Sequence, residues 1–429
     1  MIPHSTWSSR EVTPAAAIRR IAAGARIFIG SGAAQPTSLV GALVEHGDHL
    51  ASNEVVHMLT LGPASYCDAA YQTRFRHRAF FIGENVREAV HAGRADFVPI
   101  FLSEIPALLR ERVRVDVALI QVGLPDAHGM VSLGVSVDIV RAAIDSARLV
   151  IAEINPRMPR THGDSFLSVD RIDLWTSVDR PIISPEQVEP GPVERAIAQH
   201  VARLVPNGAT VQTGIGRIPD AVLAALENHA DLGIHTEMFS DGVMTLCERG
   251  VINGSRKTLL PGKMVTSFII GSQRLYEWAN DHPNIEMRPS DFTNDPFIIA
   301  QNERMVAINS ALAIDLTGQV AADTLAGRHY SGIGGQVDFV RGAARSVGGT
   351  SIIALPSMAK HGISRICSSL EAGTGVTTSR GDVRYVVTEY GAADLWGRSV
   401  RERAGALIEI AHPDVRAQLR AQVEQLRML

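Results

Sequence analysis

Residues 208–226 read Gly-Ala-Thr-Val-Gln-Thr-Gly-Ile-Gly-Arg-Ile-Pro-Asp-Ala-Val-Leu-Ala-Ala-Leu, and residues 24–43 read Gly-Ala-Arg-Ile-Phe-Ile-Gly-Ser-Gly-Ala-Ala-Gln-Pro-Thr-Ser-Leu-Val-Gly-Ala-Leu. Each stretch passes from a short strand-like run through Gly-x-Gly into a proline-initiated helical pattern. Because the same strand, glycine turn and helix occur once in each half of the chain, the sequence predicts two related α/β units.

The flanking sequence extends this repeat. Helices are predicted before both stretches, one from the Thr13-Pro14 pair to Gly24 and one opening at Pro192. A second pair of similar segments, 117–129 and 306–318, ends each time in Asp-x-x-Gly. Further buried strands are predicted at residues 55–61, 79–82, 149–154, 264–270 and 351–355. We therefore expect an α/β fold made of two similar open α/β domains that face each other across an active-site cleft.

The chain length supports two domains, because 429 residues exceed what one hydrophobic core normally serves. Residues 178–192 contain four prolines and form the natural linker. We predict an N-terminal domain over residues 1–187 and a C-terminal domain over residues 188–429.

The overall composition excludes several classes of partner. Hydrophobic residues make up 45% of the chain, and a net charge of -4 provides no basic surface for nucleic acid or anionic lipid. The first residues have no signal-peptide pattern, and no apolar run approaches the ~20 residues of a membrane span. We expect a cytoplasmic protein that contacts neither nucleic acid nor membrane.

Metal, disulfide and nucleotide motifs are missing from the sequence. The three cysteines, Cys67, Cys247 and Cys367, are widely spaced, and no His-Glu-x-x-His occurs, so we expect neither a disulfide framework nor a metal site. Neither Gly-x-Gly turn is a dinucleotide fingerprint, since Gln35 and Pro219 stand where the third glycine would be. No P-loop motif occurs either. A dehydrogenase and a P-loop NTPase are therefore poorly supported.

One carboxylate stands out. Residues 233–242 read Gly-Ile-His-Thr-Glu-Met-Phe-Ser-Asp-Gly and place Glu237 between a strand-like run and a turn, and residues 332–335 later read Gly-Ile-Gly-Gly. A glutamate near a strand end is usually a solvated or helix-capping residue. In a dry cleft beside backbone N–H donors, however, a carboxylate can attack a thioester.

These two strings resemble the acetyl-CoA hydrolase/transferase family of class I CoA-transferases, in particular its members similar to 4-hydroxybutyrate CoA-transferase. Residues 385–391, Tyr-Val-Val-Thr-Glu-Tyr-Gly, and 393–399, Ala-Asp-Leu-Trp-Gly-Arg-Ser, strengthen the resemblance, which covers nearly the whole chain. The resemblance implies that Glu237 is the nucleophile. It also implies that the Asn294 side chain and the Gly335 backbone N–H donate to the reacting oxygen. An Asn before Asp-Pro is more often a turn residue.

The resemblance also implies binding positions. Those for coenzyme A are Gln212, Gly214, Ile215, Gly216, Gly332, Gly334 and Lys360, although a solvated role remains open for Lys360. The first domain is expected to select the acyl group, with candidate pocket residues Ser31, Gln35, Asn85 and Arg87, each of which could equally be a surface loop residue. The sequence departs from the family pattern at residues 366–369, Ile-Cys-Ser-Ser, which puts the local coenzyme A contacts in doubt.

These features favour a CoA-transferase that moves CoA between a short-chain acyl-CoA, of the 4-hydroxybutyryl or butyryl type, and an acid such as acetate. Coenzyme A and acyl-CoA would be substrates, with no permanently bound cofactor, and we expect a homodimer or higher homo-oligomer. Three alternatives stay open. They are transfer to a dicarboxylate such as succinate or itaconate with Arg87 as the cation, acyl-CoA hydrolysis, and a non-catalytic ligand sensor.

Overall fold

Two mainly parallel sheets organise the chain. The structure, a computed structural model, describes residues 7–425. The strands are β1 Arg26–Ile29, β2 Asn53–His57, β3 Phe75–Ala79, β4 Ala95–Phe97, β5 Val117–Val122, β6 Met130–Ser132, β7 Leu149–Ile154, β8 Phe166–Ser168, β9 Leu174–Ser177, β10 Thr210–Thr213, β11 Gly233–Ile234, β12 Met238–Phe239, β13 Met264–Thr266, β14 Phe268–Ile269, β15 Ile285–Met287, β16 Met305–Ser310, β17 Ala313–Asp315, β18 Val320–Ala321, β19 Thr324–Leu325, β20 Arg328–His329, β21 Thr350–Ala354, β22 Ile366–Cys367, β23 Tyr385–Thr388 and β24 Gly391–Asp394.

Helices alternate with these strands. They are α1 Pro14–Ile18, α2 Thr37–Glu45, α3 Glu84–His91, α4 Ile105–Glu111, α5 Val140–Ser146, α6 Pro192–Ala202, α7 Arg217–Ala225, α8 Asp241–Glu248, α9 Gln273–Ala279, α10 Ser290–Thr293, α11 Pro296–Ile299, α12 Gln336–Arg345, α13 Val400–Ile410 and α14 Pro413–Gln425. Within residues 7–425, no helix has both the length and the apolar character that crossing a bilayer requires.

The first compact unit contains the chain up to Glu186 together with Val265–Thr293. Its main sheet has seven strands in the order β4-β3-β2-β1-β5-β7-β9, all parallel. All six residues of β5 are buried, as expected of a parallel strand covered on both faces. The strand order reverses direction between β1 and β5, and this switch point is where open α/β sheets form ligand crevices.

The second unit contains Gln187–Met264 and the chain from Asn294 onward. Its six-stranded sheet has the order β11-β10-β16-β21-β23-β24, with β24 the antiparallel edge strand. The switch point lies between β10 and β16. In each unit the strand of the first repeated stretch pairs with the strand of the second, β1 with β5 and β10 with β16. The predicted α/β class with parallel sheets is confirmed.

Some local predictions differ from the structure. Residues 264–270 are buried as predicted, but they form the short strands β13 and β14 outside the two main sheets. Strand β3 ends at Ala79 instead of beginning there, because its Phe-Arg-His-Arg-Ala sequence lacks the apolar run on which the prediction relied. Helix α1 starts as predicted, with the Thr13 hydroxyl accepting from the Ala16 N–H at 3.2 Å, but it ends at Ile18.

The compact units also differ from two contiguous domains. Residues 265–293 belong with the first unit, where the Val137 N–H donates to the Ser267 carbonyl at 2.9 Å and the Ser290 N–H donates to the Asp138 carbonyl at 2.9 Å. The first change of unit follows Glu186, and the predicted domain boundary near residue 188 stays a prediction. We recognised no sequence signal for the return of the chain to the first unit.

Candidate active site

Glu237 lies in the bend between β11 and β12 and is half-buried. The preceding residue fixes this bend. The buried Thr236 hydroxyl is 2.9 Å from the Thr213 carbonyl, at the end of β10, and 2.9 Å from the Met238 carbonyl. The Glu237 backbone is therefore tied to the carboxyl edge of the second sheet, next to its switch point.

Asn294 brings a donor to this carboxylate. Its side chain is fully buried directly after α10, and its Nδ2 donates to Glu237 Oε2 at 2.9 Å. In the Asn-Asp-Pro string the capping residue is Asp295 and not Asn294. The Asp295 carboxylate caps α11 by accepting from the Phe297 N–H at 2.7 Å. Asn294 is thus available as a donor at the carboxylate, as its predicted role requires.

Gly335 lies against both Glu237 and Asn294. It is the N-cap residue of α12, and a Cβ at this position would overlap both Glu237 Oε2 and Asn294 Nδ2. Only glycine fits so close an approach. The N-terminus of the ten-residue helix α12 therefore lies against the carboxylate, where unpaired N–H groups and the helix dipole favour negative charge. Gly334 has a φ of 58°, which also favours glycine.

This arrangement suits acyl chemistry. A carboxylate that is held by one amide and faces a helix N-terminus is oriented for attack. The same donors can stabilise an oxyanion that develops beside it. The structure thus brings together Glu237, Asn294 and Gly335, the three residues predicted for catalysis.

The loop after β10 carries the predicted coenzyme A positions 214–216. A Cβ at Gly214 or Gly216 would meet no protein atom within 4 Å, and the Ile215 side chain is 48% exposed. Packing within the protein therefore does not require a glycine at Gly214. Gly216 has a φ of 109° and needs glycine for its backbone conformation.

Gln212 is engaged inside the sheet. It is 3% exposed, and its side-chain amide exchanges two hydrogen bonds with Asn309 of β16, at 3.3 and 3.1 Å. Its side chain thus joins β10 to β16 at the switch point, so the structure gives it a scaffold role beside the predicted ligand loop.

Gly332 and Lys360 occupy different settings. Gly332 is buried and leads into the glycine turn before α12. Lys360 is exposed and is the first residue of a 3₁₀ turn. The chain just before this turn is held in place by Ser357, which donates from its N–H and its hydroxyl to the Glu389 carboxylate at 2.9 and 2.6 Å. An exposed lysine on an anchored turn is compatible with phosphate binding.

Among the predicted acyl-pocket residues, Gln35 and Asn85 hold a loop. Gln35 Oε1 accepts from the Gly62 N–H at 2.6 Å and its Nε2 donates to the Pro63 carbonyl at 2.8 Å. Asn85 Nδ2 donates to the carbonyls of Thr60 and Gly62, at 3.2 and 2.8 Å. Both side chains therefore fix the loop after β2.

The other two predicted pocket residues are Ser31 and Arg87. Ser31 is buried at the carboxyl end of β1. Arg87 is two residues from Asn85 on α3, so its side chain leaves the helix in another direction, and it lines a shallow cavity of about 470 Å³ with Glu84, Glu88 and His91. The structure therefore does not place Arg87 with the residues that hold the loop after β2.

The cysteines are poorly suited to nucleophilic chemistry. Burial raises the pKa of the Cys67 and Cys367 thiols to about 12 and raises the pKa of Cys247 as well. All three are therefore protonated near neutral pH, whereas the thiolate is the nucleophilic form. Within residues 7–425, no cluster of three or more His, Cys, Asp or Glu side chains is placed to hold a metal ion.

Comparison with known proteins identifies the family of the chain. Residues 3–190 match the family model for the acetyl-CoA hydrolase/transferase N-terminal domain, and residues 271–423 match that for the acetyl-CoA hydrolase/transferase C-terminal domain. The chain belongs to the acetyl-CoA hydrolase/transferase family.

Relatives of the chain within this family are named CoA-transferases. The chain is 48% identical to the 4-hydroxybutyrate coenzyme A transferase of Clostridium kluyveri, over 96% of this chain and 97% of that protein. It is 46% identical to the succinyl-CoA:acetate/propanoyl-CoA:succinate CoA transferase of Fasciola hepatica, over 95% of this chain and 86% of that protein. The crystal structure of RipA from Yersinia pestis superposes with a TM-score of 0.96 at 36% identity, covering 100% of both chains. The chain is accordingly an enzyme of the CoA-transferase type.

Two residues of this family member were missed at the sequence level. Thr236 precedes the carboxylate, and its hydroxyl could have drawn attention as an anchor for the bend. Asn309 lies far from Gln212 in sequence, and only the pairing of β10 with β16 brings the two amides together. No spacing within either segment carries that information.

Proposed function

We propose that the enzyme transfers CoA between a short-chain acyl-CoA, of the 4-hydroxybutyryl or butyryl type, and a carboxylic acid such as acetate. The observation that carries this proposal is the Glu237 carboxylate held by Asn294 against the N-terminus of α12. The acyl range rests on the high identity to a relative named for 4-hydroxybutyrate.

The proposed first half-reaction has two steps. A Glu237 oxygen attacks the thioester carbonyl, the C–S bond breaks, and CoA leaves as a thiolate from an acyl-glutamyl anhydride. The thiolate then attacks the glutamyl carbonyl, which releases the acyl group as a carboxylate and leaves a glutamyl-CoA thioester. An incoming acid repeats the steps in reverse. Because the thioester bond energy is kept throughout, no ATP is needed.

The donors have a defined role in this scheme. Each tetrahedral intermediate places negative charge on the former carbonyl oxygen, and in this scheme the Asn294 amide and the Gly335 N–H donate hydrogen bonds to that oxygen. Each donor would contribute roughly 3 kcal/mol to transition-state stabilisation if it behaves like other oxyanion donors. The loop at residues 214–216 and the exposed Lys360 would hold the CoA moiety.

Chemical trapping tests the covalent route. The enzyme is treated with butyryl-CoA and then with borohydride, which reduces a glutamyl-CoA thioester but not a free carboxylate. Peptide mass mapping should find the modification at Glu237 and lose it in Glu237→Gln. Glu227→Gln, which removes a half-exposed carboxylate paired with Arg249, serves as the control and should be modified like the parent enzyme. Label on a cysteine instead would contradict the mechanism.

Transfer and hydrolysis are separated by omitting the acceptor. A water-excluding site protects the anhydride, so acyl-CoA consumption without acid should be about a few per cent of that with acetate. Acetate, butyrate and succinate are each tried as acceptors, with CoA exchange followed by mass. If free CoA accumulates at a rate that no acid changes, the enzyme is a hydrolase.

The predicted homodimer or higher homo-oligomer and the cytoplasmic location stay predictions. Light scattering of the purified enzyme tests the first, and fractionation of the source cells tests the second.

A further inference from the structure

The glycine segment, residues 332–335, carries the Gly335 N–H that donates to the oxyanion in the proposed mechanism. That N–H lies in the peptide between Gly334 and Gly335, so its direction depends on the segment as well as on α12. Helix α12 is closely packed, since a Cβ at Gly342 would overlap Ile299 of α11. The segment itself contains three glycines, which restrict the backbone little. Its path therefore depends on the contacts of the chain that leads into it.

Asp323 holds the entry to the glycine segment. Its carbonyl accepts from the Tyr330 N–H at 2.7 Å and from the Ser331 N–H at 3.4 Å. The Ser331 hydroxyl also lies 3.3 Å from the Ala322 carbonyl oxygen. Between these contacts the chain forms the antiparallel hairpin of β19 and β20. The hairpin therefore returns to Asp323, and the glycine segment starts from that point.

The Thr377 hydroxyl fixes Asp323 in turn. Its oxygen accepts from the N–H groups of Ala322 at 2.8 Å and Asp323 at 3.3 Å, and it donates its proton to the Asp323 carboxylate. A hydroxyl has one proton and two lone pairs, so all three are used. The other carboxylate oxygen accepts from the Thr324 hydroxyl at 2.9 Å. The Thr377 backbone is itself tied to β18, because its N–H donates to the Val320 carbonyl at 2.8 Å.

This group of residues lies inside the second unit, and water has little access to its centre. Asp323 is 8% exposed, and Thr324 is 5% exposed. If the Thr377 hydroxyl were lost, the polar groups of Asp323 could not simply exchange it for water, and the backbone at Asp323 would have to move to find other partners.

We propose that Thr377 is a positioning residue for the acyl transfer. Through Asp323, its hydroxyl sets the path of residues 330–334 and so the direction in which the Gly335 N–H points. The inference rests on the proposed function, in which this N–H stabilises the oxyanion. A misdirected donor stabilises the transition state less, whereas the binding of acyl-CoA and acid through other contacts is unaffected. The loss of the hydroxyl should therefore lower kcat and spare the KM values.

A second threonine links the same two stretches of chain and provides a matched control. The Thr374 hydroxyl oxygen accepts from the Ala326 N–H at 3.0 Å, at the turn between β19 and β20. Beside it the Gly327 N–H donates to the Gly373 carbonyl at 2.9 Å. Thr374 thus holds the tip of the hairpin, whereas Thr377 holds the end from which the glycine segment starts.

The first test removes each hydroxyl while keeping the shape of the side chain. With butyryl-CoA and acetate as substrates, Thr377→Val should lower kcat by about tenfold or more and change both KM values by no more than about twofold. Thr377→Ser keeps the hydroxyl and should restore most of the rate. Thr374→Val should keep kcat within about twofold of the parent value, because the entry to the glycine segment is left intact.

A double-mutant cycle tests whether Thr377 acts through the glycine segment. Gly335→Ala already disturbs the geometry that Thr377 is proposed to maintain. In that background, Thr377→Val should therefore lower kcat by less than about threefold. A threonine that supports the fold in general, independently of Gly335, would lower kcat by the same factor in both backgrounds.

Three results would overturn the proposal. They are an unaltered kcat in folded Thr377→Val, an equal loss of kcat in Thr374→Val, and equal factors in the two backgrounds of the cycle. If Thr377→Val does not fold, Asp323→Asn decides, since an amide has only one oxygen to accept from the two threonine hydroxyls. Its kcat should also fall by about tenfold, and an unaltered kcat would exclude the role of this contact.

Failure of the proposed function is recognised separately. The parent enzyme is assayed first, with and without acetate, butyrate and succinate. If it consumes butyryl-CoA at a rate that no acid changes, the transferase function has failed. The variants are then compared in hydrolysis, which also passes through an oxyanion and so tests the role of Thr377 in the same way.

Discussion

The side-chain amide of Asn294 and the carboxylate of Glu237 meet at 2.9 Å, and Gly335 leaves the space in which they do so. The Glu237 oxygen is therefore held at hydrogen-bond distance from the Asn294 amide, in a space that a side chain at residue 335 would fill. Shortening its side chain breaks this geometry while keeping its charge.

Glu237→Asp should retain the fold but lose about a hundredfold or more in kcat, because one methylene moves the attacking oxygen by over ~1 Å. Steady-state exchange between butyryl-CoA and acetate measures the loss, and Glu227→Asp is the matched control. Near-normal turnover in Glu237→Asp would mean that the position of the carboxylate is not critical.

Gly335→Ala should reduce kcat by about a hundredfold or more, because the added methyl group would displace the Glu237 carboxylate or the Asn294 amide. The backbone at Gly335 has a φ of -96°, which alanine adopts, so unfolding should stay cooperative. Gly405→Ala, where a Cβ meets no atom within 4 Å, is the control and should keep full activity. Equal activities in the two variants would contradict the close approach.

Gly214→Ala tests the coenzyme A loop. Since a Cβ there meets no protein atom within 4 Å, the change should leave the melting temperature nearly unaltered. The KM for acyl-CoA should nevertheless rise by about tenfold if coenzyme A packs on this backbone, while the KM for the acid stays the same. An unaltered KM for acyl-CoA would place the cofactor arm elsewhere.

Thr236→Val should lower kcat by about tenfold or more and leave the KM for acyl-CoA little changed. It removes a buried hydroxyl that lies 2.9 Å from the carbonyls of Thr213 and Met238 and has one proton to donate, and the loss of such a buried hydrogen bond costs about 1–3 kcal/mol in unfolding free energy. Thr236→Ser keeps the hydroxyl and should restore most of the rate. If Ser and Val behave alike, the hydroxyl does not position Glu237.

Acid should destabilise the first unit through a stacked histidine pair. The rings of His57 and His77 are 4.1 Å apart and fully buried. Burial lowers the pKa of His77 to about 4, with smaller opposing effects from the Val55 carbonyl, Asp96 and Glu54. Burial, and then His77, holds the pKa of His57 well below its usual value.

Between about pH 6.5 and pH 4 the unfolded chain binds protons that the folded chain does not. Stability is therefore full above pH 6.5 and falls as the pH drops, by up to about 3 kcal/mol for His77. Urea unfolding at several pH values should show this decline, and His77→Asn, whose amide can still donate to the Val55 carbonyl, should flatten it. His128→Asn, at an exposed site, should not. An equal decline in His77→Asn would exclude this pair as the cause.

The repeat predicted much of the fold because it is local. Strand, glycine turn and helix are encoded within some twenty residues, and both copies fold accordingly. The catalytic group was predictable for another reason, since the strings around Glu237 and Gly335 resemble a known family. What escaped prediction depends on long-range contacts. The Gln212–Asn309 amide pair and the Gln35 and Asn85 contacts to the loop after β2 join segments that are distant in sequence.

The return of residues 265–293 to the first unit has a consequence for how the chain is made. During synthesis, the Val137 N–H cannot form its hydrogen bond until Ser267 has been added to the chain. The Ile183 carbonyl likewise accepts from the Tyr276 hydroxyl, 2.8 Å away, only after Tyr276 has been added. At ~5–20 residues per second, the ribosome adds that segment on the order of ten seconds after residue 187. A nascent first unit is therefore incomplete while part of the second is already outside. A fragment that ends at residue 187 would lack the protein partners of the Val137 N–H and the Ile183 carbonyl.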